Sequence, residues 1–159
     1  MESGAWRMVE ARLRLVATTD LHMELLARDC GPGGAPGGLE ALAGVIARAR
    51  DEAANVLMFD NGDLLQGHPL GDHLAELAAR RRPGSRRPPP GPHPAIDCLN
   101  RLGCDAATLG NHDFGFGRRF LGAAIAAARY PVVAANIRGP GLAGVAPWCV
   151  LRRRLRTAE

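Results

Sequence analysis

The sequence contains no lysine and few aromatic residues. All 20 basic side chains are arginines, set against 16 acidic side chains, and aromatic residues make up 4% of the chain. Many of the arginines fall at 80–87 and 152–156, so the excess charge of +4 is local. Arginine runs without an aromatic platform for base stacking are weak evidence for a nucleic-acid face. We therefore rank nucleic-acid binding last among the functions considered.

Long apolar runs and a cysteine framework are also missing. No stretch approaches the ~20 apolar residues of a membrane span, and charged residues interrupt the first twelve positions where a signal peptide would be apolar. The four cysteines show neither C-x-x-C spacing nor the density of a disulfide scaffold. The sequence as written therefore predicts no membrane contact, a cytoplasmic protein and reduced thiols.

The composition fits one domain of ordinary size, since 47% of the 159 residues are hydrophobic. We expect an N-terminal extension over 1–12 and a domain over 13–159. A segment rich in proline and arginine near 80–93 is predicted to be a solvated insertion, because proline and charge prevent packing. The glycine- and proline-rich stretch 31–38 is predicted to be a surface loop.

Strand patterns alternate with helix patterns along the chain. Strands are predicted at 13–19, 56–59, 106–109 and 131–137, and helices at 39–53, 71–81, 94–102 and 118–129. Repeated strand–helix–strand units of this length indicate an α/β fold with a largely parallel sheet and crossover helices.

Polar clusters follow three of the predicted strands. They are Asp20-Leu21-His22, Asp60-Asn61-Gly62-Asp63 and Gly110-Asn111-His112-Asp113. In open α/β sheets, ligands bind outside the carboxyl ends of the strands. We therefore expect the three clusters to meet in one site.

The residue types in these clusters suit a metal ion. Asp20 and His22 are two positions apart, so in an extended segment both side chains leave on one side and can hold one ion. A carboxylate with an imidazole suits zinc, manganese or iron better than calcium. Asp63 could bridge two cations, and Asn111 offers a neutral oxygen. His112 beside it can point at a substrate instead.

Each cluster also has a structural interpretation. Asp20 could cap the next helix, and Asp60-Asn61 could simply form a turn. Asn111-His112 could belong to an Asx-type turn. The remaining histidines, His68, His73 and His93, are assigned to no metal, and the last two are expected at the surface.

The pattern Asp20-x-His22, Gly62-Asp63 and Gly110-Asn111-His112-Asp113 resembles the first three blocks of the calcineurin-like metallophosphoesterases. Longer stretches at 18–23, 60–72 and 105–112 are similar to the 2′,3′-cyclic-nucleotide 2′-phosphodiesterase/3′-nucleotidase branch of the 5′-nucleotidase-type enzymes. The resemblance runs from about residue 13 to residue 155.

The resemblance implies the N-terminal half of a four-layer α/β/β/α sandwich. It also implies two divalent metal ions (Zn, Mn, Fe, Co or Mg) and a metal-activated water that attacks phosphorus in 2′,3′-cyclic nucleotides or 3′-nucleotides. By this resemblance, Asp20 and His22 bind the first metal, Asp63 bridges both metals and Asn111 binds the second. His112 is the implied catalytic residue. Asn61 and Asp113 support the site.

Two departures from the family pattern change the expectations. The later histidine blocks have no counterpart, so each ion would have at most three protein ligands and bind weakly. Gly115 stands where 5′-nucleotidase-type relatives carry an acid, so His112 would be oriented by another residue, such as Asp113. The alternative is a catalytically incomplete fragment that binds metal or phosphate weakly. An uncovered sheet edge would then favour self-association.

Overall fold

The computed structural model describes residues 9–26, 37–80, 91–137 and 142–157. The strands are β1 (Arg14–Thr18), β2 (Val56–Asp60), β3 (Ala106–Ala107), β4 (Val132–Val133) and β5 (Val145–Ala146). The helices are α1 (Gly38–Glu52), α2 (Pro69–Ala79), α3 (Pro94–Arg101) and α4 (Arg118–Ile125). A short 3₁₀ turn over His112–Phe114 follows β3.

The five strands form one parallel sheet in the order β1-β2-β3-β4-β5. The predicted α/β fold with a parallel sheet is therefore confirmed. The second sheet of a four-layer sandwich stays a prediction, since the described residues form a single sheet. The division at residue 12 also stays a prediction, and residues 1–8 lie outside the described ranges, as do most of the predicted 31–38 loop and positions 81–90 of the predicted insertion.

The predicted helices form close to their expected bounds. In α1, Leu39 and Ile46 are buried on one face, although Val45, expected on the same face, is 50% exposed. Helices α2 and α3 both begin at a proline, which suits the first turn because proline lacks the N–H that has no partner there. Gly103 follows α3 with φ +66°, the left-handed conformation expected after a helix.

The short elements differ from the prediction. β3 and β4 have two residues each instead of four and seven, and β5 was missed because two apolar residues give no periodicity. Helix α4 ends at Ile125, four residues before the predicted end. The Asn100 side chain forms hydrogen bonds with the backbone that follows. Its amide nitrogen donates to the Ala127 carbonyl at 2.9 Å, and its amide oxygen accepts from the Arg129 N–H at 2.7 Å.

Among the described residues, the helices cover one face of the sheet and leave the other face open. On the covered face, Met58 and Val132 are 0% and 4% exposed and join a core with residues of all four helices. The open face carries the alternate residues, and Leu15 there, paired with Leu57, is 62% exposed. Cys98, Cys104 and Cys149 are free cysteines, and Cys30 lies outside the described residues. None of the described helices is long and apolar enough to cross a bilayer.

Candidate metal centre

Three loops meet at the carboxyl ends of β1, β2 and β3. We call them the Asp20 loop (residues 19–23), the Asp63 loop (61–65) and the Asn111 loop (109–113). The first two lie side by side, because the Asp20 N–H donates to the Gly62 carbonyl at 3.0 Å and the His22 N–H donates to the Asp63 carbonyl at 2.9 Å. The expected meeting of the three polar clusters is therefore what the structure shows.

Asp20, His22 and Asp63 form the centre of this site. Each offers a ligand atom, and these atoms all lie within 4.8 Å of one another. The His22 Nε2 atom is 3.7 Å from Asp20 Oδ1, and the Thr19 hydroxyl donates to the other Asp20 oxygen. Two carboxylates and an imidazole that are open to solvent form a donor set that fits a divalent transition metal.

The backbone orients His22 for this purpose. Its Nδ1 atom is 2.7 Å from the Gln66 carbonyl oxygen, so a proton on Nδ1 is donated there and the Nε2 lone pair faces Asp20. This is the arrangement that fixes the tautomer and ring orientation of metal-binding histidines. Gly67 makes it possible, because a Cβ at this position, where φ is +131°, would lie 2.7 Å from His22 Nδ1.

Backbone strain is concentrated in the same loops. Of the described residues other than glycine, four have positive φ: Asp20 (54°), His22 (47°), Met23 (63°) and Asp63 (57°). Such conformations cost free energy and persist where the surrounding contacts enforce them, often at functional sites. The helix after β1 begins at Gly38, which excludes a capping role for Asp20.

Two glycines bring the Asn111 loop against the Asp63 loop. A Cβ at Gly62 would overlap the Gly110 nitrogen, and a Cβ at Gly110 would overlap the Asp63 carboxylate. Two residues after Gly110, the His112 N–H donates to Asp63 Oδ1 at 2.8 Å. Asn111 lies between these two contacts, with its side chain exposed.

His112 also lies beside the cluster. Its exposed ring meets the His22 ring edge to face, with 5.0 Å between centroids and 83° between planes. Asp113 does not orient this ring in the way expected from the sequence, because both of its oxygens accept hydrogen bonds from backbone N–H groups. Asn61 is exposed, and its N–H donates to the Thr18 carbonyl at 2.7 Å.

Gln66 is a site residue that the sequence analysis missed. Its side-chain amide occupies the space beside Gly115, where a Cβ would overlap Gln66 Oε1. At the position where 5′-nucleotidase-type relatives carry an acid, the space beside Gly115 is therefore filled by a carboxamide from another loop. The only signal in the sequence was the position of Gln66 before Gly67 and shortly after Asp63, which does not indicate such a contact.

The other polar groups have structural roles. Asp60 is 3% exposed and accepts from the Thr18 hydroxyl at 2.7 Å and the Gly62 N–H at 3.1 Å, as a turn-forming aspartate does. Burial raises its pKa to about 6. His68 accepts from the Leu70 N–H at the start of α2. The prediction of a surface position was wrong for His93, whose ring nitrogens are buried without hydrogen-bond partners, so burial lowers its pKa to about 4.

The fold and this cluster define an α/β protein with a candidate metal centre at the carboxyl edge of a parallel sheet. Residues 13–146 match the calcineurin-like phosphoesterase family, and the chain belongs to that family. The expectation drawn from the three motif blocks is thereby confirmed. Enzymes of this family are metal-dependent hydrolases, in keeping with the cluster of Asp20, His22 and Asp63.

Two curated relatives and one solved structure illustrate the similarity. The chain is 38% identical over 127 residues to the 2′,3′-cyclic-nucleotide 2′-phosphodiesterase/3′-nucleotidase of Haemophilus influenzae, covering 79% of this chain and 18% of that protein. It is 37% identical over 131 residues to the trifunctional nucleotide phosphoesterase protein YfkN of Bacillus subtilis, covering 81% and 9%. The crystal structure of the YfkN calcineurin-like phosphoesterase superposes with a TM-score of 0.64 at 34% identity, covering 77% and 36%. This chain thus spans less than a fifth of the length of these curated relatives.

Proposed function

We propose that this chain carries the metal-binding edge of a phosphoesterase that hydrolyses nucleotides, with 2′,3′-cyclic nucleotides and 3′-nucleotides as its substrates. The observation that carries the proposal is the convergence of Asp20, His22 and Asp63, with ligand atoms within 4.8 Å of one another. The substrate class is taken from the names of the curated relatives.

In this proposal Asp20 and His22 hold one divalent ion, Asp63 is shared between two, and Asn111 binds the second. The ions would be Zn, Mn, Fe, Co or Mg, since mixed carboxylate, imidazole and amide donors suit these metals. Divalent ions in such a site supply Lewis acidity toward the phosphoester and activate water. The exposure of Asp20, whose side chain is 57% accessible, leaves the site open to a phosphate group.

His112 would act on the leaving group. Its ring is exposed and in edge contact with His22, so it lies beside the phosphate that the cluster would bind. An imidazole in this position can donate a proton to the leaving oxygen or stabilise charge on the phosphoryl group. The Gln66 amide fills the space beside Gly115, three residues after His112.

The test is hydrolysis of bis(p-nitrophenyl) phosphate by the 159-residue chain with added Mn²⁺. Asp63→Asn should lower the metal-dependent rate at least about 100-fold, because the shared ligand loses its charge. Asp51→Asn, an exposed acid near the end of α1, is the matched control and should leave the rate unchanged. A parallel assay with 2′,3′-cyclic AMP and 3′-AMP then tests the substrate class.

Hydrolysis that survives both chelation and Asp63→Asn would refute the proposal. Metal uptake without hydrolysis would favour the alternative function, a catalytically incomplete unit that binds metal or phosphate weakly. Hydrolysis of the model diester but of neither nucleotide would retain the phosphoesterase and reject the substrate class.

A further inference from the structure

Asp113 is the most deeply buried charged group near the candidate metal centre. It is 1% exposed and lies in the 3₁₀ turn of the Asn111 loop. Its Oδ1 accepts from the N–H groups of Leu64 at 2.9 Å and Leu65 at 3.0 Å. Its Oδ2 accepts from the N–H groups of Asp63 at 3.0 Å and Gly110 at 2.9 Å. One carboxylate thus holds four backbone donors.

These four donors belong to two different loops. Three lie in the Asp63 loop, about 50 residues away in sequence, and the fourth is at Gly110 in Asp113's own loop. A carboxylate that accepts several backbone N–H groups fixes the donors in space. Because it engages both loops, Asp113 determines how they lie relative to each other.

The link is reciprocal. Asp113 accepts from the backbone N–H of Asp63, while the side chain of Asp63 accepts from the backbone N–H of His112 at 2.8 Å. Asp63 is therefore held at its backbone by one residue of the Asn111 loop and at its carboxylate by that residue's neighbour. With Oδ1 bound to His112, the direction of the other Asp63 oxygen follows from this pair of contacts.

We infer that Asp113 is a positioning residue that sets the separation between the Asp63 carboxylate and the Asn111 amide, and so the affinity of the site for divalent metal. The inference rests on the proposed function, because it assumes that Asp63 and Asn111 bind metal. Asp113 itself is buried under the loops, and its four hydrogen bonds are all to backbone N–H groups. It acts through the backbone of the loops that carry the proposed ligands.

A buried carboxylate could also serve stability alone, and metal affinity separates the two roles. Asp113→Asn keeps the shape of the side chain but replaces one acceptor oxygen by an NH₂ group that faces N–H donors. One pair of bonds is lost, and the loops shift relative to each other. Loss of a residue that orients metal ligands typically weakens metal binding 10- to 100-fold. A purely structural residue would change the melting temperature without changing the metal affinity of the folded protein.

The experiment is titration with Co²⁺, monitored by its visible absorption, together with thermal unfolding in the absence of metal. Wild-type chain should bind Co²⁺, and Asp113→Asn should bind it about 10- to 100-fold more weakly with an altered spectrum. Leu121→Ala is the stability control, because Leu121 is 0% exposed in α4 and is not a partner in the four hydrogen bonds of Asp113. It should lower the melting temperature and leave cobalt affinity and spectrum unchanged.

Unchanged affinity and spectrum in folded Asp113→Asn would overturn the inference and leave the proposed function intact. Failure of wild-type chain to bind Co²⁺ would overturn the proposed function and the inference with it. If Asp113→Asn does not fold, Asp113→Glu decides, since it keeps the charge but displaces it by one methylene. Weakened cobalt binding in that variant supports the positioning role, and wild-type binding refutes it.

Discussion

The two faces of the sheet differ in solvent exposure, although the strands carry apolar residues on both faces. In β2, apolar residues point to both sides, a pattern typical of strands that are buried on both faces. In the part of the chain that the structure describes, the helices cover one side, where Met58 is 0% exposed, while Leu15 of the neighbouring strand β1, on the other side, is 62% exposed. The helices therefore bury the apolar side chains on one face of the strands and leave those on the other face more exposed. The composition of a strand shows that a face can be buried and does not show what buries it.

The covered face is also the face that supports the candidate metal centre. Thr18 and Asp60 end β1 and β2 on this side and are bonded to each other at 2.7 Å directly below the Asp20 and Asp63 loops. Strained loops need a rigid support, because their positive φ values persist only where surrounding contacts enforce them.

The largest expected contrast between the faces is in stability. Met58→Ala removes a fully buried side chain and should lower the free energy of unfolding by about 3 to 4 kcal/mol. Leu15→Ala removes a side chain that is mostly in water and should cost less than about 0.5 kcal/mol. Urea denaturation of dilute protein measures both. A similar loss for the two variants would show that the open face is covered in solution.

The next contrast concerns a charge on the covered face. Burial raises the pKa of Asp60 from 3.8 to about 6, so between these values the folded state binds more protons than the unfolded state. The contribution of Asp60 is therefore most favourable at low pH and is lost as the pH rises through 6. Relative to Asp60→Asn, the wild type should lose about 2 to 3 kcal/mol between pH 4 and pH 7.

The measurement is urea denaturation of both proteins across this pH range with chelator present, so that metal binding does not contribute. Asp51→Asn, which alters an exposed acid, is the control and should follow the wild type at every pH. A constant difference between wild type and Asp60→Asn from pH 4 to pH 7 would mean that Asp60 titrates normally.

The sequence predicts the features that depend on local patterns and misses the contacts between residues that are far apart in the chain. Helix α1 and strand β2 have local periodicity, and the three ligand loops were placed because strand ends of a parallel sheet share an edge. Three of the four bonds of Asp113 reach residues about 50 positions away in the chain, and the Gln66 amide occupies space left by Gly115. Neither contact has a local pattern. Sequence therefore predicted which residues meet and could not predict what holds them there.

The smallest expected effect concerns association through the open face. An exposed apolar sheet face favours contact with other molecules. The self-association predicted through an uncovered sheet edge can be tested at the same residue, because Leu15 lies in the edge strand β1. Leu15→Lys places a charge on this face in the edge strand β1 and should shift association, followed by light scattering, to about tenfold higher protein concentration, a change of about 1.4 kcal/mol. Leu77→Lys, at a side chain that is 53% exposed on α2, is the matched control and should leave association unchanged. Equal shifts in both variants would mean that added charge alone reduces association, and then the two faces of the sheet would not differ in this respect.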